Sequence, residues 1–298
     1  MKKRSIKITA IYSLLHFLVD GICAYAMFSR FMQSSEIYLN VLLYNFCAFA
    51  LQMPLGALLD LKVMKCENNK TDNRFDYSML YALAGVGLTL IGAYISPIIL
   101  GIGNALFHVG GGVGTIHEDF RGGFRGQALG VFVAPGAFGL YLGTVLASLY
   151  GLDIHWIMAL VCLSASIPAF VFLERMLNKI GDRANQSNER KEFCNQKESL
   201  LLVSTGCLLV VIIRSYVGAA VTMQWKTTIL LGAASVLVVV FGKMAGGFLA
   251  ARFGALKTTV ITLSIAALGY MISEKAIPGL LALFMFNMTM PIALYQLV

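Results

Sequence analysis

The sequence is short of charge. Asp, Glu, Lys and Arg make up 13% of its 298 residues, against 58% hydrophobic, where soluble domains carry about 25% charged residues. With a mean hydropathy of +0.77, this excludes a water-soluble domain and indicates a polytopic membrane protein. Other absences narrow the class further. Behind the basic start Met1-Lys2-Lys3-Arg4 no small-residue cleavage pattern follows, and the next apolar span is about 20 residues long, so it is a retained first helix and not a signal peptide. The six cysteines form no disulfide framework. Cys23, Cys47, Cys162 and Cys207 lie in apolar spans, and Cys66 and Cys194 lie in basic loops assigned to the cytosol, where thiols stay reduced. No H-E-x-x-H, paired-glutamate or Gly-x-Ser-x-Gly run occurs, so a membrane-embedded hydrolase using His108 is a poor reading and no enzymatic activity is expected. Gly110, Gly111, Gly112 and Gly114 lack the Lys-Ser/Thr of a phosphate loop; in a membrane helix they let backbones approach closely, as do Gly139 and Gly143.

What is present is a series of ten apolar spans of roughly 20 residues: 8–28, 37–59, 78–96, 98–116, 127–149, 154–173, 200–218, 228–250, 258–273 and 277–297. With the N-terminus inside, nineteen of the 23 Lys and Arg fall on the inner side. They are Lys2, Lys3, Arg4 and Lys7; Lys62, Lys65, Lys70 and Arg74; Arg121 and Arg125; Arg175, Lys179, Arg183, Arg190, Lys191 and Lys197; and Lys243, Arg252 and Lys257. Arg30, Lys226 and Lys275 fall outside, and Arg214 lies within a span. The excess predicts a multi-pass protein of the inner or plasma membrane with a cytoplasmic N-terminus. It accounts for the net charge of +8 without nucleic acid. Residues 175–199 mix both charge signs with Asn and Gln and carry no apolar period, so they read as a cytosolic linker. The expected organisation is a six-helix bundle over 1–174, the linker over 175–199, and a four-helix bundle over 200–298.

Ionisable groups inside spans are the functional candidates, since a charge at the bilayer centre costs about 2.5–3.5 kcal/mol on insertion scales. Asp20 and Arg214 are the sharpest pair, expected to meet across the interface between the halves because each alone would be an uncompensated charge in lipid. His16 shares a helix face with Asp20, and Asn104 shares one with His108. Histidine titrates near neutral pH and suits proton relay, although a hydrogen-bonded core role is the alternative. Asn287 occupies the equivalent place in the tenth span, where cavity lining and helix-to-helix hydrogen bonding stand at even odds. Two histidines on separate helices lack a third ligand of fixed spacing, so no metal site is expected. His117-Glu118-Asp119, beside Arg121 and Arg125, reads as a solvated turn. Pro135 should kink its helix, and Pro54 and Pro291 could do likewise.

The two halves also repeat each other. Gly56-Ala-Leu-Leu-Asp60-Leu-Lys62 closes the second span and Gly247-Phe-Leu-Ala-Ala-Arg252-Phe-Gly254 closes the eighth. Here the chain resembles the major facilitator superfamily, whose halves carry a Gly-x-x-x-Asp-Arg/Lys-x-Gly-Arg signature at these loops. The first copy keeps Gly56 and Asp60; the second keeps Gly247, Arg252 and Gly254, with Ala251 in place of the acid. HFLVD in the first span, GIGNALFHVGGG in the fourth and IIRSY in the seventh are similar to the fosmidomycin-resistance-type exporter branch. Gly130, Pro135, Gly136 and Gly139 of the fifth span are similar to the antiporter signature. The resemblance implies an all-α, major-facilitator-like protein with six plus four transmembrane helices in two pseudo-symmetric bundles, short of the family's twelve by two. It implies a monomeric, cofactor-free, proton-coupled antiporter that exports a small organic solute. A transport-inactive binding or assembly protein is the alternative.

Overall fold

The computed structural model describes residues 2–68, 77–151, 166 and 223–296, and for 62–68 the backbone alone. The seventh expected span, the linker and Arg214 lie outside these residues, as does the sixth span apart from Ser166. All regular structure among the described residues is helical. The helices are α1 (Lys2–Ser29), α2 (Ile37–Asn45), α3 (Gln52–Asn68), α4 (Tyr77–Ile95), α5 (Pro97–Gly122), α6 (Gln127–Tyr150), α7 (Ile229–Phe253), α8 (Ala255–Met271), α9 (Ala276–Asn287) and α10 (Thr289–Gln296). Seven stretches among the described residues are long and apolar enough to cross a bilayer: 2–33, 37–61, 77–95, 97–122, 127–150, 229–253 and 276–296. With 17 residues, α8 is a shorter apolar helix. Large apolar side chains such as Tyr38, Met53, Leu230, Met271 and Ile277 stay exposed, the pattern of a surface bathed in lipid.

Two expected spans are interrupted, each shortly before a proline. Pro54 cannot donate to the carbonyl four residues back, and the chain widens into a π-helical turn over Phe46–Ala50 before α3 begins. The Gln52 side-chain amide donates to the Ala48 carbonyl at 2.7 Å, supplying a donor where the regular ladder is disturbed. Pro291 likewise offers no amide hydrogen to Asn287, and the tenth span breaks at Met288 into α9 and α10. Pro135, in contrast, sits inside the unbroken assignment of α6.

The contacts divide the chain into two compact units: Met1–Gly122 with Pro135–Lys179, and Gly123–Ala134 with Ile180–Val298. The boundary in α6 falls between Ala134 and Pro135. In the first unit α1 is the central element, with every residue from Val19 to Met27 buried. Its low amphipathicity follows, since a helix enclosed on all sides needs no polar face. α4 and α5 form the tightest pair. Only Ser96 separates them; its hydroxyl accepts from the Ile98 amide at 3.2 Å, and Pro97 opens α5 where a missing N–H costs nothing. A Cβ added at Gly85, Gly92, Gly103 or Gly110 would fall inside 3 Å of the opposite backbone. The glycines of this pair therefore set the interhelical distance, as small residues do in membranes.

α5 continues past the expected end of its span to Gly122, which corrects the reading of His117-Glu118-Asp119 as a solvated turn. Glu118 and Asp119 are buried. Arg121 donates to Glu118 Oε1 at 2.7 Å from one helical turn away, and Arg4 of α1 is close enough to Glu118 for their charges to interact. The pairing lets the carboxylate leave water. In the second unit, Gly254 adopts φ +93° between α7 and α8, a conformation that favours glycine, and its amide closes α7 on the Ala250 carbonyl at 2.9 Å. Trp225 braces the α8–α9 corner by donating from Nε1 to the Ser273 carbonyl at 3.0 Å and packing on Gly279.

Candidate functional site

The chemistry collects around Asp20, about two-thirds of the way along α1. His16 lies one turn earlier on the same face, and its Nε2 is 3.1 Å from Asp20 Oδ2. From α5, His108 brings its Nε2 to 3.7 Å from Asp20 Oδ1 and 2.9 Å from His16 Nε2. Asn104, one turn before His108, donates from Nδ2 to Asp20 Oδ1 at 3.1 Å, with Cys23 Sγ a further acceptor at 3.5 Å. Cys23 in turn has a side-chain hydrogen bond with Tyr44 of α2. The i,i+4 spacing of both pairs puts the four polar side chains on the facing sides of α1 and α5. Asp20, His16 and Asn104 are buried, and the His108 side chain keeps 20% of its surface exposed. His108 is thus the open edge of the cluster.

Proton positions follow from the partners. His108 Nδ1 lies 2.9 Å from the Asn104 carbonyl, which can only accept, so Nδ1 carries a hydrogen. In neutral His108 the Nε2 is then a bare lone pair. Two nitrogens 2.9 Å apart need one proton between them, and His16 Nε2–H supplies it while also facing Asp20 Oδ2. The rings meet edge to face with centroids 4.6 Å apart, and fully buried Phe107 lies against both.

The α6 backbone closes the cluster from the other side. A Cβ at Gly136 would sit 2.5 Å from Asp20 Oδ2 and closer still to His16 Nε2, so any larger residue there would have to displace the ends of both side chains. Gly139 lies against the Phe17 carbonyl and Gly21, and Gly143 against the Gly21 carbonyl and Ala24. The Gly136 and Gly139 singled out by the antiporter-like signature are thereby the seats of α1. In the second unit, Gly130 approaches Gly247: a Cβ at Gly130 would meet the Gly247 Cα at 3.3 Å and the Lys243 carbonyl at 3.1 Å. Those two glycines come from two different sequence signatures. Gly56 has no atom near enough to meet a Cβ, Asp60 is exposed on α3, and Arg252 is exposed with its guanidinium 5.4 Å from the Phe253 ring.

Asn287 ends α9, where its Nδ2 donates to the Leu283 carbonyl of its own helix at 2.8 Å. Arg214, the expected partner of Asp20, lies outside the described residues. Within the first unit two imidazoles and an amide surround the carboxylate. Lys243 was counted with the cytoplasmic loop charges, and this is corrected: it lies within α7, buried, with Nζ 3.3 Å from the Val133 carbonyl. The clue was in the sequence, because fourteen residues of α7 precede it and ten follow. A long aliphatic stem tolerates burial when the ammonium finds a carbonyl.

Together, the apolar helices and a carboxylate buried among two imidazoles define a multi-helical membrane protein with an ionisable centre inside one helical unit. Compared with known proteins, the chain matches no family model and no curated protein sequence.

Proposed function

We propose that the protein is a proton-coupled secondary transporter that exports a small organic solute by alternating access. The observation that carries this reading is the Asp20–His16–His108 cluster. An ionisable carboxylate well inside a membrane-crossing helix is costly, and such groups mark ion or proton pathways by default. The bare Nε2 of neutral His108 faces Asp20 Oδ1 at 3.7 Å, so a proton leaving protonated Asp20 has an acceptor at His108, the edge with access to the outside of the cluster, while His16 Nε2–H contacts both partners. Glycine seats at Gly136, Gly139 and Gly143 support the reading, since they let α1 and α6 slide without bulky side chains to unlock. The likeness of HFLVD and GIGNALFHVGGG to exporters adds the direction, and the basic inner loops add the cytoplasmic N-terminus in the inner or plasma membrane. In this scheme an anionic group on the solute would pair with Arg214, a role taken from the resemblance and from charge alone.

The test is uptake of a panel of labelled amphipathic solutes of differing charge into proteoliposomes under an imposed pH gradient. The gradient should accelerate movement of at least one solute, and Asp20→Asn should remove that acceleration. Transport that ignores the gradient, or that keeps its pH dependence in Asp20→Asn, would sink the reading.

A further inference from the structure

We propose that His16, Asp20 and His108 form a binding site for a divalent first-row transition cation of zinc type. The proposal goes beyond the transport reading and stands on ligand geometry alone. Sequence spacing left two histidines without a third ligand; the fold supplies it, because Asp20 lies on the same face of α1 as His16 and meets His108 from α5. One ligand atom from each residue fits within a sphere of contacts no wider than 4.8 Å.

The spacings suit one ion. With metal–nitrogen bonds of about 2.0–2.1 Å, two neighbouring ligand atoms stand about 2.9 Å apart at a right angle and about 3.4 Å apart at the tetrahedral angle. The observed separations are 2.9 Å between the imidazole nitrogens, 3.1 Å from His16 Nε2 to Asp20 Oδ2 and 3.7 Å from His108 Nε2 to Asp20 Oδ1. A carboxylate that offers Oδ2 toward His16 and Oδ1 toward His108 can meet one ion with either oxygen or with both. Two imidazoles and a carboxylate favour zinc, cobalt, nickel or iron over calcium or magnesium, which prefer all-oxygen shells.

The outer partners are also those of a metal site. A ligating histidine usually donates its second N–H to a carbonyl, which fixes the ring and the tautomer. His108 Nδ1 does so to the Asn104 carbonyl at 2.9 Å, and the Asn104 amide holds Asp20 Oδ1 at 3.1 Å. One residue thus orients two of the three ligands. The ion would take the place of the single proton between the two Nε2 atoms, and His16 would then carry its hydrogen on Nδ1, so that both imidazoles bind as neutral ligands. The carboxylate leaves the bound cation with one net positive charge. Partial exposure of His108 gives the ion an entrance and leaves coordination positions for water or a solute.

The experiment is titration of Co2+ and Zn2+ into the purified full chain in detergent, stripped with chelator and carrying no histidine tag. One Co2+ should bind per chain with visible ligand-field bands, and Zn2+ should abolish them. His16→Gln and His108→Gln should each lose the bands, Asn104→Ala should weaken binding about 10–100-fold, and His117→Gln should bind as wild type. Asp20→Cys guards against simple misfolding: a thiolate at this position should produce a new sulfur-to-cobalt charge-transfer band. Absence of stoichiometric binding by the wild type would overturn the proposal. So would binding that survives in both histidine variants, or Asp20→Cys binding Co2+ without the new band. Because no transport is measured, failure here is separate from failure of the transporter reading.

Discussion

Replacing Gly136 by alanine tests how tightly the α6 backbone seats the cluster. The new Cβ would lie 2.5 Å from Asp20 Oδ2. Ordinary contact begins at 3.4 Å, so the carboxylate or the backbone must give by about 0.9 Å. Overpacking of this kind costs about 1–3 kcal/mol, but alanine also gains about 1 kcal/mol over glycine within a helix. Gly87→Ala in α4 isolates the second effect, because nothing lies within 4 Å of a Cβ there. The propensity gain then cancels between the two variants, and the steric cost of about 1–3 kcal/mol remains. It corresponds to a factor of about 5–150 in the folded-to-unfolded ratio. The assay is thermal unfolding of wild type, Gly136→Ala and Gly87→Ala in one detergent, with Co2+ affinity as a second readout. Gly87→Ala should melt at or above wild type and Gly136→Ala clearly below it. Only Gly136→Ala should lose Co2+ affinity, because its Cβ displaces His16 as well. Two variants that melt together would refute the close approach of α6 to α1, and the account of Gly136 with it.

Other substitutions probe the remaining contacts. Gly103→Ala and Gly110→Ala should each lower the melting temperature, since their Cβ atoms would enter the α4 backbone; stability at the wild-type level in either would contradict the glycine-set spacing of α4 and α5. Lys243→Met keeps the stem and removes a buried charge, an exchange that is often neutral or stabilising, so a melting temperature no lower than wild type is expected. A marked loss of stability would show that the ammonium is required. Trp225→Phe removes the 3.0 Å hydrogen bond to the Ser273 carbonyl and should cost about 0.5–1.5 kcal/mol, read from the same melts. Gly279→Ala should be worse, because its Cβ would meet Trp225 Nε1 at 2.7 Å.

Much of the fold was legible as runs of apolar residues. Eight of the ten expected spans coincide with helices or with helices broken shortly before a proline, and the other two, apart from Ser166, lie outside the described residues. Periodicity says nothing about where a helix narrows or widens, so the π turn at 46–50 and the break at Met288 emerge only in the structure. The extent of α5 was misjudged for a physical reason. Glu118, Asp119 and Arg121 look like a polar loop as isolated residues, but the Arg121–Glu118 ion pair cancels charge within one turn and lets the helix run on. Lys243 was misplaced by counting its charge without regard to its depth in the run.

The sequence alone determined that this chain lives in a membrane, because apolar runs of bilayer length have no other low-energy solvent. It also put His16 with Asp20 and Asn104 with His108, since four residues make about one helical turn. Tertiary structure decided that these two pairs face each other, that Gly136 leaves room for them, and that the Asp20 carboxylate lies beside two imidazoles. Such choices depend on which helices pack together and how closely. Those are long-range properties set by glycine and side-chain shape on separate helices, and no local spacing encodes them.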